Sequence, residues 1–285
     1  MKIEVKKNAK NNIVFGLLSK IILMILPFVM RMVINNTLGA EYLGLNSLFS
    51  SILNVLALSE LGISSALVYN MYKPIAEDNQ KKINALLNLY RKSYRIIGIV
   101  ILSIGVLLIP FISKLIHGSA PDGINIYIIF IIQLINTVLS YFLFAYRQSL
   151  LVAYQREDVN SITNLITQLF LQILQIIILY ATKNYYFYVI CLPGFTIINN
   201  LWIAYITQKM FSKAKCEGYL DPGTLKDIKK LVLGTFIQKA CATTRNSLDS
   251  ICLSAFIGLT VTGIYNNYLN CTPKSGQLKV EQTRF

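Results

Sequence analysis

The chain has 285 residues, 54% of them hydrophobic and only 14% charged, with a mean hydropathy of +0.54. Soluble proteins carry about 25% charged residues, so this composition excludes an ordinary soluble domain and points to a bilayer. The net charge of +14 would suggest nucleic acid in a soluble chain, but no aromatic-basic module accompanies it, and no nucleic-acid partner is expected.

Crossing the hydrocarbon core takes roughly 20 apolar residues. Such stretches run over 13–34, 44–70, 95–116, 124–146, 160–182, 186–207 and 231–254, with a shorter one at 263–270. The expected fold is all-α, an integral membrane helical bundle. A cleaved leader is not expected, because the first stretch is too long and no small-residue cleavage site follows it.

Basic residues alternate between connections. Lys2, Lys6, Lys7 and Lys10 precede the first span. Lys73, Lys81, Lys82, Arg91, Lys92 and Arg95 fill the second connection, Arg147 and Arg156 the fourth, and six lysines from Lys209 to Lys230 the sixth. The intervening connections, 35–43, 117–123 and 183–185, hold Lys183 alone. This pattern predicts a cytoplasmic N-terminus, with the basic side facing anionic membrane lipids.

Two basic connections also look structured. Ile83, Leu86, Leu87, Tyr90 and Tyr94 recur at helical spacing, which predicts a helix lying in the membrane interface before the third span. Pro222-Gly223 reads as a turn, and Thr224 to Asp227 as a capping box opening a helix that runs into the seventh span.

An internal repeat divides the chain. Leu38-Gly39-Ala40-Glu41-Tyr42-Leu43-Gly44-Leu45 aligns without a gap to Ile257-Gly258-Leu259-Thr260-Val261-Thr262-Gly263-Ile264, an offset of 219 (258 − 39). The same offset sets Lys20 on Lys239. A repeat of this length in a membrane protein suggests two homologous halves. The expected domains are a six-helix lobe over 1–218, the start of a second lobe over 219–270, and a polar tail over 271–285.

Polar groups inside the spans are the candidate site. Lys20, Pro27 and Arg31 share one face of the first span. A cation near mid-bilayer costs about 2.5–3.5 kcal/mol or more, so each either faces a cavity or snorkels to an interface. In the second span Asn46, Ser50, Glu60 and Ser64 share a sector, and Glu60 is the only acid inside the first six spans. Two roles fit Glu60: a hydrogen-bonded lock between helices, or a proton-coupling group, with Lys20 or Arg31 as candidate partners. Asn164, Gln168 and Gln172 lie on a drifting stripe of the fifth span with Asn160, Thr167 and Gln175. Amides there suit sugar hydroxyls or neighbouring helices. In the seventh span Arg245 and Asp249 are i,i+4 neighbours. Lys239 is left uncompensated beside them. With Lys20 and Arg31 it would give a cavity a positive potential that favours an anionic cargo.

The five cysteines, Cys191, Cys216, Cys241, Cys252 and Cys271, show no paired spacing, and His117 stands alone. No nucleophile-base set, metal cluster or phosphate loop is visible, so neither catalysis nor a cofactor is expected.

The lysine-rich start, the Leu38-Gly39…Leu43-Gly44-Leu45 turn, Leu58-Ser59-Glu60-Leu61-Gly62-Ile63-Ser64-Ser65-Ala66-Leu67 and Ser247-Leu248-Asp249-Ser250-Ile251-Cys252…Ile257-Gly258…Gly263-Ile264-Tyr265 resemble the bacterial polysaccharide flippases. These belong to a superfamily shared with multidrug exporters and the peptidoglycan lipid flippase. The resemblance covers about residues 8–270. It implies two helical bundles around a central cavity in the cytoplasmic (inner) membrane. The implied cargo is an undecaprenyl-diphosphate-linked oligosaccharide for surface polysaccharide such as lipopolysaccharide or capsule. By that resemblance Lys20, Arg31, Lys239 and Arg245 would be the cationic cavity residues. Membrane lipids and the polysaccharide polymerase machinery are the other expected partners. Family members run to twelve or fourteen spans, so a truncated or frameshifted product is expected, and independent transport is in doubt. Three alternatives compete with this reading. A cation-coupled drug exporter would show acids in the first lobe, and a membrane polymerase or ligase would need a long outer loop. A non-transporting membrane interaction protein would need neither.

Overall fold

The computed structural model describes residues 5–60, 62–116, 121 and 123–271; the side chains at some positions of the first and last two helices lie outside that description. His117 and the tail beyond 271 also lie outside it. Ten α-helices follow one another, with no strand among the described residues: α1 (Val5–Thr37), α2 (Ala40–Leu56), α3 (Ile63–Ala76), α4 (Gln80–Leu108), α5 (Ile126–Phe142), α6 (Ala145–Ala153), α7 (Glu157–Thr182), α8 (Tyr185–Met210), α9 (Pro222–Phe256) and α10 (Leu259–Cys271). The protein is thus an all-α bundle. Four helical segments are long and apolar enough to cross a membrane: Phe15–Thr37, Gln80–Leu115, α7 and α8. The bent pair α5 and α6 makes a fifth.

The helices up to Met210 make six passes between the two ends of the bundle, because two passes are broken. α2 and α3 are separated by a 3-10 turn, Ala57–Glu60, and by Gly62, whose φ of 103° favours glycine. A Cβ on Gly62 would also collide with Thr235 and with the Val232 carbonyl of α9. The expected single span over 44–70 is therefore two helices. α5 and α6 meet at 49°, with Phe144 at φ 57° in the left-handed region. A bulky residue rarely adopts that conformation.

Two expectations are corrected. Residues 81–94 do not form a separate interfacial helix, because α4 is continuous from Gln80 to Leu108. Ile83, Leu86, Leu87, Tyr90 and Tyr94 are buried against protein, since no Pro or Gly interrupts the helix before Gly98. α9 starts at Pro222, not Thr224. Asp221 is its cap, accepting from the Thr224 N–H at 2.8 Å, and Pro222 fits the first position, where no N–H is needed.

Lipid is as apolar as leucine, so close packing and polar contacts hold such helices together. Phe49 and Phe130 meet edge to face at 5.4 Å. Gly98 and Gly105 of α4 lie against Phe142 and Leu134 of α5. Leu17, Ile21, Ile99 and Leu107 are among the exposed apolar side chains suited to lipid.

The connections sort to two ends. At one, Tyr42 packs on Tyr185 at 5.1 Å, and the Asn125 N–H donates to the Tyr186 hydroxyl at 2.5 Å. At the other, Asn12 donates to the Gln155 carbonyl and accepts from the Asp158 N–H. There a ladder on α4 holds the connection before α9: Gln80 donates to the Lys213 carbonyl, Asn84 accepts from the Lys215 N–H, and Asn88 donates to the Gly218 carbonyl.

The repeat has a structural counterpart. α1 ends at Thr37 and α9 at Phe256, the same 219 positions apart as Gly39 and Gly258. The Leu38 and Gly39 N–H groups donate to the Ile34 carbonyl, and the Ile257 and Gly258 N–H groups to that of Leu253. Gly39 and Gly258 have φ of 106° and 125°. α10 then packs on α2, and α9 on α2 and α3.

Candidate functional site: a polar cavity within the first six passes

Where both broken passes bend, they bound a cavity of about 460 Å³. Glu60, in the 3-10 turn, contributes its carboxylate. Tyr94 of α4 donates to Oε1 at 2.7 Å, and Tyr141 of α5 donates to Oε2 at 2.8 Å. Hydrogen bonds to a charged group are worth about 1.5–3 kcal/mol, so the two phenols grip both oxygens of this acid. Tyr90 stacks on Tyr94 at 5.0 Å and fixes its ring. Among the described residues no ammonium or guanidinium lies within ion-pair distance of Glu60. Its expected pairing with Lys20 or Arg31 is thus replaced by tyrosine.

Amides line the rest of the wall. Asn199 of α8 donates to Asn164 of α7 at 2.8 Å, and Thr196 to Asn136 of α5 at 2.6 Å. Gln148 of α6 donates to Asn200 at 3.3 Å. The Asn199 carbonyl oxygen is buried with no partner among the described residues. Each amide offers both donors and acceptors, so the wall can bond a polyol in many orientations. Gln168, also on the wall, is exposed.

The other sequence-derived candidates are spread over the molecule. Asn46 accepts from Gln133 at 3.2 Å and so ties α2 to α5. Gln172 is half-buried on α7 beside the cavity wall, its carbonyl oxygen unpartnered. Lys20 is exposed on α1. Arg31 lines a smaller groove of about 210 Å³ with Leu23, Met24, Pro27 and Phe28. Lys20 and Arg31 are absent from the cavity wall. The side chains of Lys239 and Arg245 lie outside the described ones. Asp249 accepts from the Tyr265 hydroxyl at 3.0 Å.

Sequence reading missed Tyr94, Tyr141, Asn136, Gln148, Asn199 and Asn200 as members of this site. Asn136 and the Asn199-Asn200 pair are polar residues in apolar stretches, a signal that could have found them. The tyrosines carried no such signal, since tyrosine is also ordinary at a membrane interface.

An all-helical bundle with long apolar helices and an internal polar cavity is the architecture of a multi-pass membrane protein. The family described as "Polysaccharide biosynthesis protein" matches residues 9–272, and the chain belongs to that family. Neither a curated protein nor a solved structure matches it.

Proposed function

We propose that the chain acts in a flippase that moves an undecaprenyl-diphosphate-linked oligosaccharide across a bacterial cytoplasmic membrane. The observation that carries this reading is family membership over nearly the whole chain, in a bundle whose interior is lined by amides and hydroxyls. Residues 1–218 are read as one lobe and 219–270 as the beginning of its repeat. Alternating access in such a transporter is the rocking of two complete lobes about a cavity between them. Lys20, Arg31, Lys239 and Arg245 supply positive potential for the diphosphate. The amides of the cavity serve the sugars, and the product passes to the polymerase machinery. No catalytic group is required of the chain.

Glu60 has the coupling role. Ionised, it accepts from both phenols. Protonated, it would still accept from one phenol at its carbonyl oxygen, and its hydroxyl would donate to the other phenol, whose own proton would turn to a new acceptor. Because Glu60 sits in the break between α2 and α3, such a change acts on the angle of that pass. The same carboxylate is what favours the second reading, a cation-coupled drug exporter.

Deletion of the gene in its own cell discriminates between these. A flippase mutant accumulates lipid-linked oligosaccharide in the inner leaflet and loses surface polysaccharide. Unchanged levels of both, with greater sensitivity to cationic drugs, would transfer the assignment to the exporter.

A further inference from the structure

The basic end of the bundle contains two arginines that the cavity does not use. Arg91 of α4 is half-buried, and its Nε is sealed from solvent with no partner among the described residues. Among the described residues its Nη2 donates to neutral acceptors, the Asn88 side-chain oxygen and the Cys216 carbonyl, both at 3.3 Å. Arg147 of α6 is also half-buried, and its Nε is likewise sealed and unpartnered. It lies 5.8 Å from the ring centre of Tyr146, whose hydroxyl interacts with both Arg147 and Cys216. Arg91 thus meets Cys216 directly from α4, and Arg147 reaches the same neighbourhood from α6 through Tyr146. Among the described residues neither has a carboxylate within 4.0 Å, whereas Arg156 is paired with Asp158 at 2.9 Å.

A partly desolvated cation without an anion is costly, and proteins normally supply the anion. Asp and Glu do not supply it here. The segment that Arg91 meets is itself fixed: the α4 ladder of Gln80, Asn84 and Asn88 occupies its backbone groups at Lys213, Lys215 and Gly218. Lys92 sits over the Tyr219 ring at 4.9 Å at the edge of this segment and adds a further positive charge. A planar guanidinium fork matches phosphate oxygens, and two forks match the spread charge of a diphosphate.

We propose that Arg91, beside Cys216, and Arg147, beside Tyr146, form a binding site for a phosphate or diphosphate group at the basic end of the bundle. The group could come from the head of a lipid-linked diphosphate or from an anionic phospholipid. The first source rests on the flippase reading; the anion chemistry does not. Placed at this end, the site holds the charged head while the amide cavity lies deeper in the bundle.

The test uses the full chain in nanodiscs of neutral phosphatidylcholine, titrated with inorganic pyrophosphate and separately with farnesyl diphosphate. Saturable binding should weaken by about tenfold or more in Arg91→Gln with Arg147→Gln, since charge-assisted forks are lost. Arg156→Gln, which breaks a pair elsewhere, should bind like the parent. Arg91→Lys with Arg147→Lys keeps the charge without the fork and guards against misfolding; it should retain intermediate affinity. Displacement of pyrophosphate by phosphatidylglycerol in the disc assigns the phospholipid as the source. Tighter binding of farnesyl diphosphate without such displacement assigns the lipid diphosphate. Equal pyrophosphate binding by the parent and the well-folded double Gln variant, or no binding to the parent at all, would overturn the proposal. Either result would leave the gene-deletion test of the flippase reading unaffected.

Discussion

Gly263 lies directly against Gly44: a Cβ on Gly263 would stand 3.1 Å from the Gly44 nitrogen and 2.8 Å from the Ala40 carbonyl oxygen. A Cβ on Gly44 would in turn run into the Leu259 carbonyl group. The two copies of the repeated turn thus meet each other, backbone to backbone. Small residues permit such an approach between membrane helices. The contact joins the beginnings of α2 and α10 at the end of the bundle that carries Tyr42 and Tyr185.

The first prediction uses one chemical change with two signs. Gly44→Ala overpacks this crossing and should cost about 1–3 kcal/mol. Gly234, inside α9, has nothing within 4 Å of a Cβ, so Gly234→Ala should gain about 0.5–1 kcal/mol through helix propensity. Thermal unfolding in detergent reads both. A Gly44→Ala protein as stable as its parent would mean that the helices do not cross this closely.

A second prediction concerns the acid and its phenols. Tyr94→Phe and Tyr141→Phe each leave one Glu60 oxygen without its donor and should each destabilise by about 1.5–3 kcal/mol. In a Glu60→Leu background the same tyrosine changes should be nearly silent, because groups in one network are not additive. Full additivity of the double mutants would show that the tyrosines act independently of Glu60.

The third separates cavity amides from structural ones. Replacing both partners of a hydrogen bond by apolar groups is close to neutral for stability. Asn164→Leu with Asn199→Leu should therefore leave the melting temperature nearly unchanged while abolishing surface polysaccharide in cells. Asn46→Leu with Gln133→Leu, the pair that ties α2 to α5, should preserve both. If the two doubles behave alike in cells, the cavity amides have no special part in transport.

Which features could be read in advance follows from what fixes each one. The helices were legible because lipid demands long apolar stretches, and the repeated turn because Gly39 and Gly258 both need a positive φ. The break between α2 and α3 was not legible, because Gly62 lies inside one apolar stretch. The bend between α5 and α6 left no trace, since Phe144 has the left-handed conformation without a glycine or proline to announce it. Of the stripe on α7, Asn160, Asn164, Thr167 and Gln168 reach the cavity. Gln175 turns to the Tyr188 carbonyl instead. Such a division depends on where α8 packs, which no periodicity within α7 encodes. The Glu60 clasp likewise needs α4 and α5 to converge on one carboxylate.

Orientation is the fourth prediction. The basic connections share one end of the bundle, and the positive-inside rule places that end in the cytosol. In a cysteine-free background a membrane-impermeant maleimide should label Lys183→Cys in intact cells and should not label Lys213→Cys. The reverse pattern would invert the assignment.

The last prediction is a pH dependence at the start of α9. Asp221 accepts from the Thr224 N–H at 2.8 Å through one oxygen and from the Thr224 hydroxyl at 2.8 Å through the other. The backbone bond is the larger influence, and together they hold its carboxyl below the ordinary carboxylate range. A depressed folded-state value means that the cap contributes above the unfolded value and is lost as pH falls through the folded one. Amide exchange at Thr224 should therefore be slow at neutral pH and quicken, relative to its intrinsic rate, on acidification below the ordinary carboxylate range. Asp221→Asn can still accept from the same N–H, so it should keep the cap and lose the acid-dependent step. Asp221→Ala should exchange fast at every pH. An acid step that persists in Asp221→Asn would move the titrating group elsewhere in the connection, with Glu217 as the nearest acid in sequence on that segment.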